Sequence, residues 1–241
     1  MKNNKIKTVT ILGASSDIGL IVTKNFLDIG YKVNAHYNTN SKNLKKINSI
    51  NSNKLNLFKF NLKNIYKWEK FIKKNFFLKK TDILISLTGY LKASKFNKFN
   101  LVEAYNHLNV NFFSSIILTR NILPHMIKNK FGRIIYSSSI GTKFGGGDKS
   151  FNYSLSKFCN EFFPSEIKKL SKINILANTI QIGLTDTKIH KRIKGKNLKK
   201  RIKLIPSKKM AKVDEVADVI DDLALNNKLI SSQLINISGG E

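Results

Sequence analysis

Short apolar segments alternate with longer amphipathic segments along the whole chain of 241 residues. The runs TVTIL, ILISL, RIIYS and INILANTI are nearly continuous in apolar character, as the buried strands of a parallel sheet are. Strand-like runs that alternate with helical patterns indicate βαβ units. The expected fold class is therefore α/β, a doubly wound seven-stranded parallel sheet with helices on both faces.

The expected elements follow each other without a Pro-, Ser- or Gly-rich linker, so residues 1–241 are expected to form one domain. Strands are expected at Thr8–Leu12, Tyr31–Tyr37, Leu55–Phe60, Asp82–Leu87, Arg133–Ser138, Ile173–Ile180 and Gln233–Ile237. Helices are expected at about residues 18–29, 41–50, 64–76, 101–129, 153–171 and 213–226. A segment at about 184–212 lacks strand signals and is expected to be a substrate lid.

The net charge of the chain is +28, from 43 lysines and arginines against 15 acidic residues. Such a balance suggests nucleic acid, an anionic membrane or an acidic substrate as a partner. Lys, Asn, Ile and Phe, which share A/T-rich codons, are abundant, whereas arginine occurs only at Arg120, Arg133, Arg192 and Arg201. We therefore attribute most of the charge to base bias, and the scarcity of arginine argues against specific nucleic-acid binding.

The single cysteine, Cys159, excludes an internal disulfide and a multi-cysteine metal site. The basic N-terminus leads into an apolar run that Gly13 and Asp17 interrupt before a signal-peptide core is reached. No run approaches the roughly 20 apolar residues that span a bilayer. We therefore expect a cytoplasmic protein that does not associate with membranes.

The first expected strand ends in the turn LGASSDIGL, in which Gly13 closes the strand and Gly19 lies at the start of the next helix. The N–H groups and the dipole of a helix N-terminus bind phosphate, and glycine allows the phosphate to approach the backbone. In the first βα unit of an α/β chain, such a turn indicates a dinucleotide site.

Tyr153 and Lys157 lie four residues apart and therefore on one face of an expected helix. An ordinary tyrosine, with a pKa of about 10, is a poor base at neutral pH, but a nearby ammonium stabilises the phenolate. The two side chains can form a general acid/base pair, although an ordinary surface pair has the same spacing.

These two motifs belong to a longer ordered series. It comprises the turn at Gly13–Gly19, SLTG at Ser86–Gly89, Asn111 in LNVNFF, GRIIYSSS ending at Ser139, YSLSK at Tyr153–Lys157, NTIQIGLTDT at Asn178–Thr187 and the ending LINISGGE. In order and spacing the series resembles the short-chain dehydrogenase/reductase family over nearly the whole chain. The resemblance implies one NAD(P)-binding Rossmann domain and an enzyme that interconverts a carbonyl and a secondary alcohol by hydride transfer, without a metal.

The resemblance also implies a catalytic role for each of four residues. Tyr153 exchanges a proton with the substrate oxygen, and Lys157 stabilises the phenolate and holds the nicotinamide ribose. Ser139 hydrogen-bonds the substrate oxygen; Ser137 shares its strand face, whereas Ser138 lies on the opposite face and is the weaker rival. Asn111 anchors a water that leads to Lys157.

The residues that the resemblance assigns to the cofactor come from the same motifs. They are Gly13, Ser15, Ser16, Ile18, Gly19, Tyr37, Asn38, Asn61, Leu62, Gly89, Tyr153, Lys157, Gly183, Thr185 and Thr187. The sequence departs from the family pattern at several places: SLTG stands for NNAG, Ile182 for a proline, and Asn61 for an acidic residue. Asp17 replaces a glycine of the first turn and is expected to cap the following helix.

The end of the second expected strand bears on the choice of nucleotide. An NAD enzyme of this family carries a carboxylate there, which binds the ribose 2′-hydroxyl. Tyr37 occupies the position, and Asn38, Ser41 and Lys42 follow it. With no carboxylate to repel a 2′-phosphate, NADP(H) is favoured over NAD(H).

The Lys-dense stretch from Lys188 to Lys212 would close over the substrate, either as a solvated face or as a surface for an acidic substrate. Similarity to 3-oxoacyl-carrier-protein reductases favours an acyl group on an acidic carrier protein. The alternative is a phosphorylated or nucleotide-linked sugar. A protein of another class, a non-catalytic cofactor binder or a nucleic-acid binder, is disfavoured because all four catalytic positions are intact.

Members of the family usually assemble as dimers or tetramers, so a homodimer or homotetramer is expected. The helices expected at 101–129 and 153–171 would form the contact. Candidate interface or core residues on them are Phe112, Phe113, Ile116, Phe158, Phe162 and Phe163.

Overall fold

The computed structural model describes residues 6–50, 53–189 and 197–241. The strands are β1 (Thr8–Leu12), β2 (Lys32–Tyr37), β3 (Leu55–Lys59), β4 (Ile83–Ser86), β5 (Gly132–Ser139), β6 (Ile175–Ile182) and β7 (Leu234–Ile237). They form one seven-stranded sheet in the order β3-β2-β1-β4-β5-β6-β7, and every pair is parallel. The expected fold class and each expected strand are confirmed.

The helices are α1 (Asp17–Asp28), α2 (Lys42–Ile50), α3 (Ile65–Lys74), α4 (Phe76–Lys79), α5 (Leu101–Leu108), α6 (Ser114–Asn129), α7 (Phe151–Phe158), α8 (Ser165–Lys169), α9 (Leu198–Leu204) and α10 (Val213–Leu225). A π-helical turn, Asn109–Phe113, joins α5 to α6. Short 3-10 helices lie at Phe96–Lys98, Ile140–Phe144, Cys159–Glu161 and Leu170–Ile173.

Two hydrophobic layers enclose the sheet because side chains along a strand point alternately to its two faces. Val9 and Ile11 of β1 pack with α1, α2 and α10 on one face. Leu12 of the same strand packs with α3, α4 and α6 on the other, where the fully buried Trp68 lies. This division explains why the strand sequences are apolar throughout, since both faces are covered.

Two expected helices are interrupted. The helix expected at 101–129 contains the π-helical turn at Asn109–Phe113, where the backbone takes in an extra residue per turn. The helix expected at 153–171 ends at Phe158, and Phe162 is extended. Pro164 lacks an N–H and disfavours a helical conformation at the preceding residue, so the chain resumes as a separate helix, α8, at Ser165.

Candidate active site

A cavity of about 960 Å³ opens at the carboxyl ends of β1, β4, β5 and β6. It lies beside β1, where crossovers lead to β2 on one side and β4 on the other, and open α/β sheets bind ligands at such a point. Many of the expected site residues line it: Ser15, Ser16, Ile18, Gly89, Ser139, Tyr153, Lys157, Gly183, Thr185 and Thr187.

The remaining expected residues lie outside the cavity wall. Gly13 and Gly19 belong to the first turn but do not line the cavity. Asn111 does not line it either and is fully buried. Tyr37 ends β2, Asn38 follows it, and Asn61 and Leu62 follow β3; none of the four lines the cavity, whereas Asn40 does. The expected cofactor residues are thus divided between the cavity wall, the first turn and the ends of the neighbouring strands β2 and β3.

The first turn requires its two glycines for steric reasons. Gly13 has φ +81°, and a Cβ on it would lie 2.8 Å from the Leu87 carbonyl oxygen. A Cβ on Gly19 would lie 2.5 Å from the Gly13 carbonyl oxygen, so the helix packs directly on the turn. Ser16 caps α1 by accepting a hydrogen bond from Gly19 N. The first-turn N–H groups of α1 lie at the cavity edge, where an anion can bind them.

Asp17 does not cap α1, contrary to expectation. It is the first residue of the helix, and Ser16 is the N-cap. Its carboxylate accepts the Lys188 backbone N–H at 2.9 Å and lies 3.2 Å from the Lys188 ammonium. The Asp17 carboxylate is therefore paired with Lys188, in the segment after β6, and it links the start of the expected lid to the turn Gly13–Gly19, the expected phosphate turn.

His36, at the end of β2, is a residue that the sequence reasoning missed. It is 3% exposed, its Nδ1 accepts the Gly13 N–H at 3.1 Å, and its Nε2 lies 2.9 Å from the Phe60 carbonyl oxygen. The imidazole is therefore neutral with its hydrogen on Nε2, and burial lowers the pKa of His36 to about 4. Its position beside Tyr37, at the nucleotide end of β2, was the available signal.

The three serines at the end of β5 have different partners. Ser137 Oγ accepts a hydrogen bond from Lys157 Nζ at 2.7 Å, and Ser138 Oγ donates to Glu161 Oε1 at 2.5 Å. Ser139 Oγ accepts the Gly141 N–H at 3.3 Å and lines the cavity. The alternation expected for a strand holds here, because Ser138 binds a different element from Ser137.

Tyr153 and Lys157, both on α7, line the same cavity. Lys157 is only 2% exposed, and Nζ donates to Thr88 O at 2.9 Å and to Ser137 O and Oγ, each at 2.7 Å. Because these partners are uncharged, burial dominates and lowers the pKa of Lys157 to about 7. The ammonium and the neutral amine of Lys157 are therefore both populated near neutral pH.

Asn111, in the π-helical turn, is fully buried. Its Oδ1 accepts Tyr90 N at 2.7 Å, and its Nδ2 donates to Tyr90 O at 3.0 Å and to Ser156 Oγ at 2.9 Å. The side chain thus fixes the loop after β4 to α7. The anchoring of a water by Asn111 stays a prediction.

The expected lid at 184–212 is held at both ends. Ala211 N donates to Leu184 O at 2.9 Å, so the segment starts and finishes side by side. Ser207 N donates to Gly239 O at 3.0 Å, and Arg201 of α9 pairs with Glu241 at the cavity wall. The expected lid segment thus packs against the C-terminal turn at Gly239 and Gly240. Residues 190–196 of the expected lid lie outside the described residues.

The family model for short chain dehydrogenases matches residues 7–197. A similar protein is the 3-oxoacyl-[acyl-carrier-protein] reductase FabG of Buchnera aphidicola subsp. Baizongia pistaciae, 28% identical over 245 residues, which cover 100% of this chain and 98% of the relative.

Among solved structures, a 3-oxoacyl-[acyl-carrier protein] reductase from Brucella melitensis superposes with a TM-score of 0.85 at 19% identity, covering 98% of this chain and 91% of its own. A 3-oxoacyl (acyl-carrier-protein) reductase from Agrobacterium tumefaciens, crystallised with NADP, has a TM-score of 0.83 at 18% identity, covering 98% of this chain and 94% of its own. At these identities, the two structures show a common fold.

The chain therefore belongs to the short-chain dehydrogenase/reductase family, a family of oxidoreductases that use nicotinamide cofactors. The resemblance seen in the sequence is confirmed. None of the helices that the structure describes has the length and apolar character needed to cross a membrane.

Proposed function

We propose that this protein is an NADPH-dependent reductase that converts a 3-oxoacyl group, carried as a thioester on an acyl carrier protein, to the 3-hydroxyacyl group. The observation that carries the proposal is the convergence of Ser139, Tyr153 and Lys157 on the cavity that the phosphate turn also borders. The full-length similarity to a protein named as such a reductase supports this substrate class.

The site fits a nicotinamide dinucleotide on two structural grounds. The glycine turn leaves no room for a Cβ at Gly13 or Gly19 and presents the N-terminus of α1 for a pyrophosphate. Lys157 lies deep in the cavity wall, where it can reach ribose hydroxyls, and Gly183, Thr185 and Thr187 line the side after β6. When bound, the nicotinamide supplies the hydride that the carbonyl carbon receives.

The protein's own side chains handle the proton and orient the substrate. Ser139 donates its hydroxyl hydrogen to the substrate carbonyl oxygen, which polarises the carbonyl. Tyr153 then transfers its phenolic proton to that oxygen as charge develops on it. The Lys157 ammonium stabilises the resulting phenolate, and Asn111 maintains the position of α7 through Ser156.

NADPH is the proposed nucleotide because the end of β2 carries no carboxylate. Tyr37 closes β2, Asn38 is exposed, and Lys42 begins α2 close by. A 2′-phosphate meets hydrogen-bond donors and positive charge there rather than repulsion. Tyr37→Asp restores the carboxylate and is expected to lower the preference for NADPH over NADH at least about tenfold. If Tyr37→Asp leaves the preference for NADPH over NADH unchanged, the end of β2 does not support NADPH as the nucleotide.

The cavity wall favours an acyl chain over a sugar. Leu91, Ile140, Phe144, Leu184 and Leu204 contribute apolar side chains to it. Burial of methylene groups against such side chains stabilises binding by about 0.8 kcal/mol for each group. α9 contributes Arg201 and Leu204 to the cavity wall and also carries Lys199, Lys200 and Lys203, and a positively charged helix beside the cavity suits an acidic carrier protein.

The proposed assembly is a homodimer or homotetramer through α5 and α7. Phe163 is buried in the core, but Phe158 and Phe162 are 58% and 74% exposed, and α5, which contacts α7, also exposes apolar side chains. A second copy would cover this face. Light scattering after gel filtration is expected to show an oligomer that Phe158→Glu dissociates, and a monomeric unmodified protein would refute the assembly.

The decisive experiment measures NADPH oxidation with a panel of 3-oxoacyl thioesters on pantetheine and on carrier protein, together with diketones, steroids and nucleotide-linked ketosugars. We expect turnover with the thioesters and a higher kcat/KM for the carrier-linked form. Turnover confined to ketosugars would replace the proposed substrate class. Salt-dependent DNA binding without oxidoreductase activity would instead favour the hypothesis that the positive charge of the protein serves nucleic-acid binding.

A further inference from the structure

Asn160 lies three residues after Lys157, on the same side of the chain, and is 2% exposed. Its Nδ2 donates to the Asn111 carbonyl oxygen at 2.8 Å and to the Ser137 carbonyl oxygen at 3.3 Å. Its own carbonyl oxygen accepts the Thr179 hydroxyl at 2.5 Å, which ties it to β6. One side-chain amide therefore joins the π-helical turn to the end of β5.

The orientation of this amide is determined by its acceptors. Both partners are carbonyl oxygens, so the reversed amide would place Oδ1 against two like partial charges. In the orientation observed, Oδ1 is buried and has no hydrogen-bond partner among the described residues. A leucine of similar volume would avoid this unpaired polar atom, so packing alone does not account for an asparagine here.

The Ser137 carbonyl oxygen is shared by two donors. Lys157 Nζ approaches it at 2.7 Å and Asn160 Nδ2 at 3.3 Å. Lys157 uses its three ammonium hydrogens on protein acceptors, so it must release one of them to engage a ribose hydroxyl. The Asn160 N–H is the donor that can then satisfy the Ser137 carbonyl.

We propose that Asn160 is a positioning residue that connects Lys157 to Asn111: it holds the Ser137 and Asn111 carbonyls in place and releases the Lys157 ammonium toward the cofactor. This inference rests on the proposed function for its catalytic consequence. Its electrostatic consequence is independent of the substrate, because the positive end of the amide dipole points at the carbonyl that Lys157 binds and so opposes the ammonium charge. The Asn160→Leu substitution removes that opposition.

The test compares Asn160→Leu with Asn178→Leu, a matched control. Asn178 is equally buried, at 1%, and its amide donates to Ile230 O at 2.8 Å and accepts from Gln233 N at 3.1 Å, partners that differ from those of Asn111 and Lys157. Two quantities are measured on folded protein: kcat with a 3-oxoacyl thioester, and the dissociation constant of NADPH between pH 5.5 and 9 by nucleotide fluorescence.

For Asn160→Leu we expect kcat to fall about tenfold with KM changed less than about threefold. We expect the pH midpoint of NADPH binding to rise by about half a unit or more, because the Lys157 ammonium is no longer opposed. Asn178→Leu is expected to lower thermal stability without changing either quantity. If Asn160→Leu does not fold, Asn160→Ser, which is too short to reach both carbonyls, takes its place with the same expectations.

The proposal is overturned if the Asn160 variant matches Asn178→Leu in both kcat and pH midpoint. A wild-type protein that reduces no thioester would refute the proposed function instead, and the NADPH midpoint would then decide the inference alone. A shifted midpoint would support it, and an unchanged midpoint would overturn it.

Discussion

The backbone N–H of Gly13 donates a 3.1 Å hydrogen bond to Nδ1 of the buried His36. Ala14 N also donates to the His36 carbonyl oxygen, at 3.0 Å, so the first two residues of the phosphate turn are held by one residue of β2. A protonated imidazole would place a hydrogen on Nδ1, against the Gly13 N–H. The shape of the turn is therefore coupled to the charge of His36.

This coupling predicts an acid-sensitive turn. The pKa of His36 is about 4 in the folded protein, below its ordinary value of 6.5, so the unfolded chain binds this proton more readily between those pH values. The contribution of His36 is therefore lost as pH falls through that window, up to about 3 kcal/mol. Urea unfolding at pH 7 and 4.5 should show a smaller loss for His36→Leu than for the wild type, and equal losses would contradict the coupling.

Lys157 predicts a dependence in the same direction, but at higher pH. The pKa of Lys157 is about 7 in the folded protein, below its ordinary value of 10.5, so the unfolded state binds more protons between these pH values and stability rises with pH in that range. The free energy of unfolding of Lys157→Met, relative to that of the wild type, should be about 3 kcal/mol higher at pH 7 than at pH 10. The same variant should lose turnover. Thermal unfolding of both proteins at both pH values tests the stability prediction. A stability difference between variant and wild type that does not change with pH would refute it.

Asp17 is expected to weaken cofactor binding because its carboxylate lies at the start of α1, where a pyrophosphate would be held. Asp17→Asn removes the negative charge and frees the Lys188 ammonium that pairs with it. The NADPH dissociation constant should therefore fall about three- to tenfold at low salt and less at high salt. Asp28→Asn, the same change at the other end of α1, is the control and should have little effect. Weaker binding by Asp17→Asn would show that the link to Lys188 matters more than repulsion.

Tyr153→Phe should abolish turnover, because the phenolic proton has no replacement in the ring. The dissociation constant of NADPH should change less than about twofold, since the ring and the helix that carries it are retained. Tyr105→Phe, an exposed tyrosine on α5, controls for loss of a hydroxyl. Stopped-flow NADPH oxidation measures the effect, and appreciable turnover by the Tyr153 variant would exclude the assigned role.

The seven strands and the residues at the cavity could be predicted from the sequence because their signals are local. A strand such as β4 is a short apolar run, and Tyr153 and Lys157 share a helix face by spacing alone. The interruptions of the two expected helices are harder to predict from the sequence. Pro164 is a local signal for a helix end, but the helical periodicity on both sides of it suggests a continuous helix. The π-helical turn at Asn109–Phe113 has no comparable signal in the sequence.

The partners of polar side chains could not be predicted in the same way. The sequence predicts that Asp17 caps the helix after the first turn, but Asp17 binds Lys188, 171 residues away. Asn160 followed a recognised motif by three residues, and its carbonyl acceptors come from the π-helical turn and β5. A hydrogen-bond partner is a property of three-dimensional neighbours, and local pattern does not specify it.

The sequence by itself determined the fold class, the family resemblance and the residues that converge at the cavity, because strand burial, helix spacing and the glycine turn are encoded within short segments. Only the tertiary structure decided which charges are paired, how His36 holds the phosphate turn, and why Lys157 has a pKa of about 7. These properties depend on burial and on contacts between distant segments, which exist only once the sheet has brought the ends of its strands together.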